Sequence, residues 1–130
     1  MSQLIADETR SRLALRAKFF RGLGDATRLA ILGALRGGAM TVNELAASLG
    51  LSQPNVSNHL SCLKNCGHVR GKQTGRNVYY ELGSEEITKL LDLADSLLAE
   101  NARGVYECAH MEAKPREVSS GSSLRVNKGE

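Results

Sequence analysis

The stretch that decides the fold is Ser52-Gln-Pro-Asn-Val-Ser-Asn-His-Leu-Ser-Cys-Leu-Lys-Asn-Cys66. Ser52 is a typical helix N-cap, Pro54 is tolerated because it falls in the first turn, and Gly67 is a typical stop. At about 100° per residue, the apolar positions share one narrow arc that should pack on the rest of the domain: Val56, Leu60 and Leu63. The opposite arc is polar and exposed, which predicts an amphipathic helix with an uncharged outer face: Gln53, Pro54, Ser57, Asn58 and Ser61.

Three helices are predicted upstream of this stretch. Residues 5–21, approximately, have helical periodicity. Asp25 is an N-cap residue for a second helix that runs to Arg36 and stops against two glycines. Thr41 and Glu44 have the spacing of a capping box, which predicts a short third helix ending near Gly50.

A hairpin and a last helix are predicted downstream. From His68 the apolar period changes to two, and two short strands, 69–72 and 77–82, flank the Gly-containing turn Gln73-Thr-Gly-Arg76. Ser84 then begins a long helix with Glu85 and Glu86 in its first turn. This helix has an apolar stripe that fades beyond residue 103: Ile87, Leu90, Leu91, Ala94, Leu97 and Leu98.

The order helix, helix, helix-turn-helix, hairpin, helix predicts a mainly α fold with a small β-hairpin, a winged helix-turn-helix. With 130 residues the chain is long enough for one domain. We assign residues 1–104 to this winged helix-turn-helix domain. Residues 105–130 form a C-terminal tail that carries Cys108 and is expected to be largely disordered after about residue 113, because it is polar and rich in serine and glycine.

The positive charge of the chain is concentrated in one segment. The net charge is +3, but no Asp or Glu occurs between Leu45 and Tyr80, where four basic residues fall: Lys64, Arg70, Lys72 and Arg76. The rest of the chain holds 13 basic and 14 acidic residues. Such a segment is typical of a surface that faces nucleic-acid phosphates, and the alternative is an ordinary solvated face.

Composition argues against several other classes. No apolar run has the length of a membrane span and no N-terminal apolar region is typical of a signal peptide, so we expect a soluble, cytoplasmic protein. Three cysteines are an odd number, which disfavours a disulfide framework. No catalytic triad, Cys-x-x-Cys pair or phosphate-binding glycine loop is visible, so an enzyme is not expected.

The motifs resemble the ArsR/SmtB family of metal-responsive repressors. The resemblance covers residues 10–100, approximately, and is carried by four segments in the family's order and spacing: Gly24-Asp-Ala-Thr-Arg-Leu-Ala-Ile-Leu, Glu44-Leu-Ala, Leu51-Ser-Gln-Pro-Asn-Val-Ser-Asn-His-Leu and Gly75-Arg-Asn-Val-Tyr-Tyr-Glu-Leu. It implies a homodimer that binds an inverted repeat in operator DNA. The dimer is expected to form through the first and last helices: Phe19, Phe20, Leu90, Leu91, Leu97 and Leu98.

The polar face of the central helix is the candidate reading surface. Gln and Asn side chains can bond bidentately to adenine, and Ser can donate or accept. By resemblance, base contacts fall at Gln53, Ser57 and Asn58, with Ser61 on the same arc. On the wing, Arg70, Lys72 and Arg76 should contact phosphate or the minor groove. His59 is expected to be a capping or packing histidine.

Cys62 and Cys66 are four residues apart on the predicted helix, so their sulfurs can converge on one ion. Two thiolates are too few for tight binding, and Cys108 is the obvious third ligand. The spacing resembles the cadmium/lead-sensing CmtR-type branch of the family, in which the third cysteine comes from across the dimer; the residues alone leave the protomer open. His110 and Glu107 are auxiliary candidates that we expect to face solvent.

The expected function is a repressor that binds operator DNA as an apo homodimer and is released when Cd(II), Pb(II) or Hg(II) binds the three cysteines. The family's zinc/nickel-type site needs histidines that the last helix lacks, and its arsenic-type site needs cysteines that Thr41-Val-Asn-Glu-Leu45 lacks. All-sulfur ligation favours soft ions. The alternatives left open are buried cysteines with no metal role, a structural zinc site, a thiol-redox repressor and an arsenite-responsive family member.

Overall fold

The computed structural model describes residues 2–108, with side chains from residue 6 onward. In that part of the chain five helices and one antiparallel hairpin follow one another: α1 Ser2–Leu23, α2 Ala26–Leu35, α3 Val42–Leu49, α4 Gln53–Asn65, β1 Val69–Thr74, β2 Asn77–Leu82 and α5 Glu85–Glu107. This order confirms the predicted winged helix-turn-helix. The last 22 residues, including His110 and the segment predicted to be disordered, lie outside the described residues.

The helix starts follow the predicted caps. The Asp25 carboxylate accepts from the N–H of Arg28, and Thr41 and Glu44 form both bonds of a capping box. The Ser52 side chain accepts from the N–H of Asn55. Each cap satisfies a backbone donor that the first helical turn leaves unpaired, which contributes about 1 kcal/mol. Ser84 precedes α5 in extended backbone but makes no side-chain cap bond.

The hairpin is longer and its turn tighter than predicted. Arg70 pairs with Glu81 and Thr74 with Asn77, so only two residues connect the strands, not the four expected. The turn is possible because Gly75 takes a left-handed conformation, with φ of 65°. Tyr80 also exchanges two backbone hydrogen bonds with Met40, of 2.8 and 3.0 Å, which ties the hairpin to the loop before α3.

The core lies between α2, α3, α4 and the start of β1. The apolar arc predicted for α4 is confirmed, since Val56, Leu60 and Leu63 are at most 2% exposed. Each such burial stabilises the fold by roughly 1.5–3 kcal/mol. Helix α4 is therefore fixed to its own domain along one side, while its polar side is left to solvent. Seven further buried apolar residues belong to this core: Leu23, Ile31, Leu32, Leu35, Leu45, Ala46 and Val69.

Helices α1 and α5 project from this core. Every residue from 6 to 18 and every residue from 92 to 108 is exposed. Arg36 at the end of α2 forms ion pairs with both Asp92 and Asp95, which anchors α5 where it leaves the domain. Helix α5 continues to Glu107, three residues beyond the domain boundary placed at 104. Among the helices of residues 2–108, none combines the length and apolar character needed to span a membrane.

The projecting helices carry an apolar surface that the single chain leaves uncovered. Three residues of the predicted dimerisation stripe, Phe20, Leu97 and Leu98, are exposed, but Phe19, Leu90 and Leu91 pack partly against the protomer's own core. Large exposed apolar side chains in addition to the predicted ones lie on the same two helices: Leu13, Leu15, Leu93, Val105 and Tyr106.

Candidate nucleic-acid interface and thiol cluster

The polar face of α4 is open to solvent along its whole length. All five residues predicted on this face are exposed: Gln53, Pro54, Ser57, Asn58 and Ser61. The opposite side of the same helix is buried, so the polar face points away from the core. It offers amide and hydroxyl groups for hydrogen bonding and carries no acidic residue that would repel phosphate.

The three wing cations differ in what they contact. Lys72 and Arg76 are exposed, and neither makes a side-chain ion pair within residues 2–108. The Arg70 Nε donates to the Glu81 carboxylate at 2.7 Å, and its Nη1 donates to the Gly83 carbonyl at 3.3 Å. This Arg70 hydrogen bond also lowers the pKa of Glu81. The cross-strand partner of Arg70 thus neutralises a positive charge that sequence alone presents as free.

Cys62 and Cys66 lie on the flank of α4, between its buried and polar faces. Cys62 is in the last turns of the helix and Cys66 is its C-cap, with a 3.2 Å hydrogen bond from the Cys66 N–H to the Cys62 carbonyl. Both are free thiols and both are exposed. Their exposure disfavours the interpretation of small buried hydrophobes and leaves the sulfurs accessible to an ion.

Cys108 is the C-cap of α5, at the tip of the projecting helix, and is also an exposed free thiol. Its neighbour Glu107 forms an ion pair with Arg103 at 3.5 Å. Within residues 2–108 of one protomer, no three His, Cys, Asp or Glu side chains form a group that could hold a metal ion. The structure thus keeps Cys62 and Cys66 on one helix but does not bring Cys108 to them in the same chain.

His59 belongs to a chain of hydrogen bonds that connects three helices. Its Nδ1 accepts a hydrogen bond from the Arg28 Nε at 3.2 Å, while the Arg28 Nη1 donates to the Gly22 carbonyl at 3.0 Å. Arg28 therefore links α1, α2 and α4 in one partly buried chain of hydrogen bonds. This contact agrees with the expectation of a packing histidine.

His68 occupies a buried position that the sequence pattern did not predict. It lies between α4 and β1, is fully buried, and meets the Phe19 ring edge-on at 4.7 Å between centroids. Neither ring nitrogen has a hydrogen-bond partner of good geometry. Burial lowers the pKa of His68, an effect that a backbone interaction with Phe19 partly offsets. The one signal in the sequence was its position two residues after Cys66.

Comparison with known proteins agrees with this architecture. Residues 25–70, from the N-cap of α2 into β1, match the family model described as bacterial regulatory protein, arsR family. The chain is 40% identical over 95 residues to a probable mercury resistance operon repressor of Streptomyces lividans, covering 73% of this chain and 76% of that protein. It is 45% identical over 84 residues to the HTH-type transcriptional regulator CmtR of Mycobacterium bovis, covering 64% of this chain and 71% of CmtR.

A solved structure with the same fold is the homodimeric winged helix-turn-helix DNA-binding domain of a Mycobacterium bovis protein. It superposes with a TM-score of 0.66 at 26% identity and covers 80% of this chain and 95% of that one. The fold and the sequence similarities agree, because the proteins that this chain matches are DNA-binding transcriptional regulators and not enzymes. The chain is therefore a member of the ArsR family of bacterial transcriptional regulators.

Proposed function

We propose that the protein is a metal-responsive transcriptional repressor that binds operator DNA as an apo homodimer and releases it when a thiophilic ion binds Cys62, Cys66 and Cys108. The observation that carries this proposal is the pair of exposed thiols four residues apart on the flank of the reading helix. Exposed sulfurs at this spacing suit a soft ion such as Cd(II) or Pb(II), and Hg(II) has the same preference.

The third sulfur comes from the partner subunit in this proposal. Cys108 ends a helix that projects from its own domain, and no three-ligand group forms within residues 2–108 of one protomer. The exposed apolar side chains of α1 and α5 supply a surface that a second copy would cover. Dimerisation through these helices would bring the end of α5 to the partner's α4.

DNA contact is assigned to α4 and the wing. Gln53, Ser57, Asn58 and Ser61 would contact base edges in the major groove, and Lys72, Arg76 and, more weakly, Arg70 would contact the backbone. In a homodimer the two reading helices would lie in successive major grooves of an inverted repeat.

In the proposed homodimer, ion binding would change the position of one subunit's DNA-binding domain relative to that of its partner. Helix α4 cannot shift readily within its own domain, because its apolar arc is buried and Arg28 holds His59. An ion that joins the α4 thiols to Cys108 of the partner subunit would therefore rotate the whole DNA-binding domain as a rigid body. This rotation would change the distance between the two α4 helices of the dimer. A coupling of this kind is typically about 5- to 150-fold in affinity.

The proposal is tested with a duplex that the apo protein selects from a random library. Adding Cd(II) or Pb(II) to this complex is expected to weaken DNA binding, with a sulfur-to-metal absorption band appearing at the same concentrations. Cys108→Ser should remove the response while leaving apo DNA affinity unchanged. Unchanged DNA affinity in the metal-loaded wild type would contradict metal regulation, and release by peroxide alone would favour thiol-redox control.

A mixing experiment tests the subunit that supplies Cys108. One variant carries Cys62→Ser and Cys66→Ser, and the other carries Cys108→Ser, so neither homodimer has a complete three-cysteine set. If Cys108 acts across the dimer, each mixed dimer has one complete set and regains metal binding. If it acts within one chain, mixing restores nothing.

A further inference from the structure

The buried imidazole of His68 has only a backbone interaction with Phe19 to offset the loss of solvent. It is fully buried, and within the described residues neither ring nitrogen makes a hydrogen bond of normal geometry. Buried polar side chains in folded proteins are nearly always hydrogen-bonded, and a bound ion is one explanation for a side chain that is not.

The ion proposed to bind Cys62 and Cys66 would lie close to this imidazole. A methyl group placed on Gly22 of α1 would lie 3.6 Å from the Cys66 Sγ and 3.9 Å from the His68 Nε2. A single point on α1 is therefore within 4 Å of both the exposed sulfur and the buried nitrogen. Because residue 22 is glycine, no side chain occupies that point.

We propose that His68, through Nε2, is a further ligand of the ion bound by Cys62 and Cys66. This inference rests on the proposed function and extends its ligand set from three sulfurs to three sulfurs and one nitrogen. Four ligands complete the tetrahedral set that d¹⁰ ions usually take, and imidazole is a common donor in such sets. The ion would bridge the surface of α4 and the domain interior.

Ligation requires the ring to leave its present packing. His68 now lies against Phe19, and no three-ligand group is formed within residues 2–108. Turning Nε2 toward Cys66 would weaken the contact with Phe19, which belongs to the projecting helix α1. Ion binding would thereby act on α1 as well as on α4, and α1 belongs to the proposed dimer surface.

The direct test uses the unmodified full-length protein labelled with ¹⁵N-histidine and titrated with ¹¹³Cd(II). The expected result is a one-bond coupling between ¹¹³Cd and the His68 Nε2, with the ring nitrogens of His59 and His110 unaffected. A sulfur-to-cadmium absorption band without any change at His68 would overturn this inference and leave the proposed function intact. The absence of the band itself would overturn both.

Variants give a second test. His68→Leu replaces the imidazole with an apolar side chain of similar bulk, which should keep the core filled. It should lower Cd(II) affinity by about 10- to 100-fold, the range seen when even an outer partner of a metal ligand is lost. The sulfur-to-cadmium band should keep its intensity. Equal Cd(II) affinities for wild type and His68→Leu would overturn the inference.

Gly22→Ala tests the path between the two groups without altering a ligand. The added methyl makes ordinary contacts, and alanine favours a helix, so the domain should fold. The methyl group would occupy the space near both the Cys66 sulfur and the His68 Nε2. Because it would hinder the movement of the ring toward the sulfur, a severalfold loss of Cd(II) affinity is expected. Gly33→Ala is the matched control, because a methyl there meets nothing within 4 Å; an equal loss in both variants would contradict the proposed path.

Discussion

Replacing Lys72 by alanine is expected to flatten the salt dependence of DNA binding much more than replacing Arg70. Each phosphate contact contributes about −0.9 to the slope of log affinity against log salt. Lys72 makes no side-chain ion pair within residues 2–108, whereas the Arg70 Nε is bonded to Glu81 at 2.7 Å. The structure thus predicts unequal contributions from two cations that lie on the same strand.

The magnitude follows from the proposed homodimer. One substitution removes two phosphate contacts per dimer, which reduces the steepness of the slope by about 1.8. When the salt concentration rises from about 50 to 200 mM, the affinity of both proteins falls. The fold-loss should be roughly ten times smaller for Lys72→Ala than for the wild type. Arg70→Ala should change the slope by less than half of that amount, because the Arg70 guanidinium is already paired with an acid.

The assay is fluorescence anisotropy across a salt series. Because the phosphate term does not depend on base sequence, a labelled duplex of arbitrary sequence serves as the probe. Glu81→Gln is the informative companion, since it frees Arg70 and should steepen the slope. Equal slopes for Lys72→Ala and Arg70→Ala, or no steepening in Glu81→Gln, would refute the reasoning.

Further predictions concern the stability of the domain and base recognition. Leu60→Ala should lower the free energy of unfolding by about 2–5 kcal/mol, because the side chain is 2% exposed; urea unfolding measures this, and a loss below that of an exposed substitution would contradict the burial. Thr41→Ala should cost about 1 kcal/mol through loss of the N-cap bond, which thermal unfolding detects, and an unchanged melting temperature would argue against the cap. Since Arg70 lowers the pKa of Glu81, the carboxylate stabilises the folded state above its ordinary pKa of 4.5, and this contribution disappears as pH falls through the lowered value. Glu81→Gln should remove that part of the pH dependence of the melting temperature, and identical profiles would contradict it. Asn58→Ala should reduce discrimination at one base pair by about 1–3 kcal/mol, measured by competition among single-base variants of the selected duplex, whereas a uniform loss at all positions would indicate a backbone contact.

Local interactions explain why so much of the fold was predictable. Asp25, Thr41 and Ser52 each bond to a backbone N–H three residues later, so their roles are visible in short segments of sequence. The two faces of α4 follow from the helical period, and the hairpin from a period of two around a glycine turn. The turn length was wrong, since pairing of Thr74 with Asn77 depends on the register of the whole hairpin.

The sequence by itself determined the winged helix-turn-helix order, the polar face of α4 and the presence of two thiols on its flank. Only the tertiary structure decided which charged and polar groups are free. Arg70 meets Glu81 across a hairpin, Arg28 meets His59 from 31 residues away, and His68 is buried under α1 next to Cys66. Contacts between residues that lie far apart in the chain leave no periodic pattern in the sequence, because they depend on how the folded elements pack against one another.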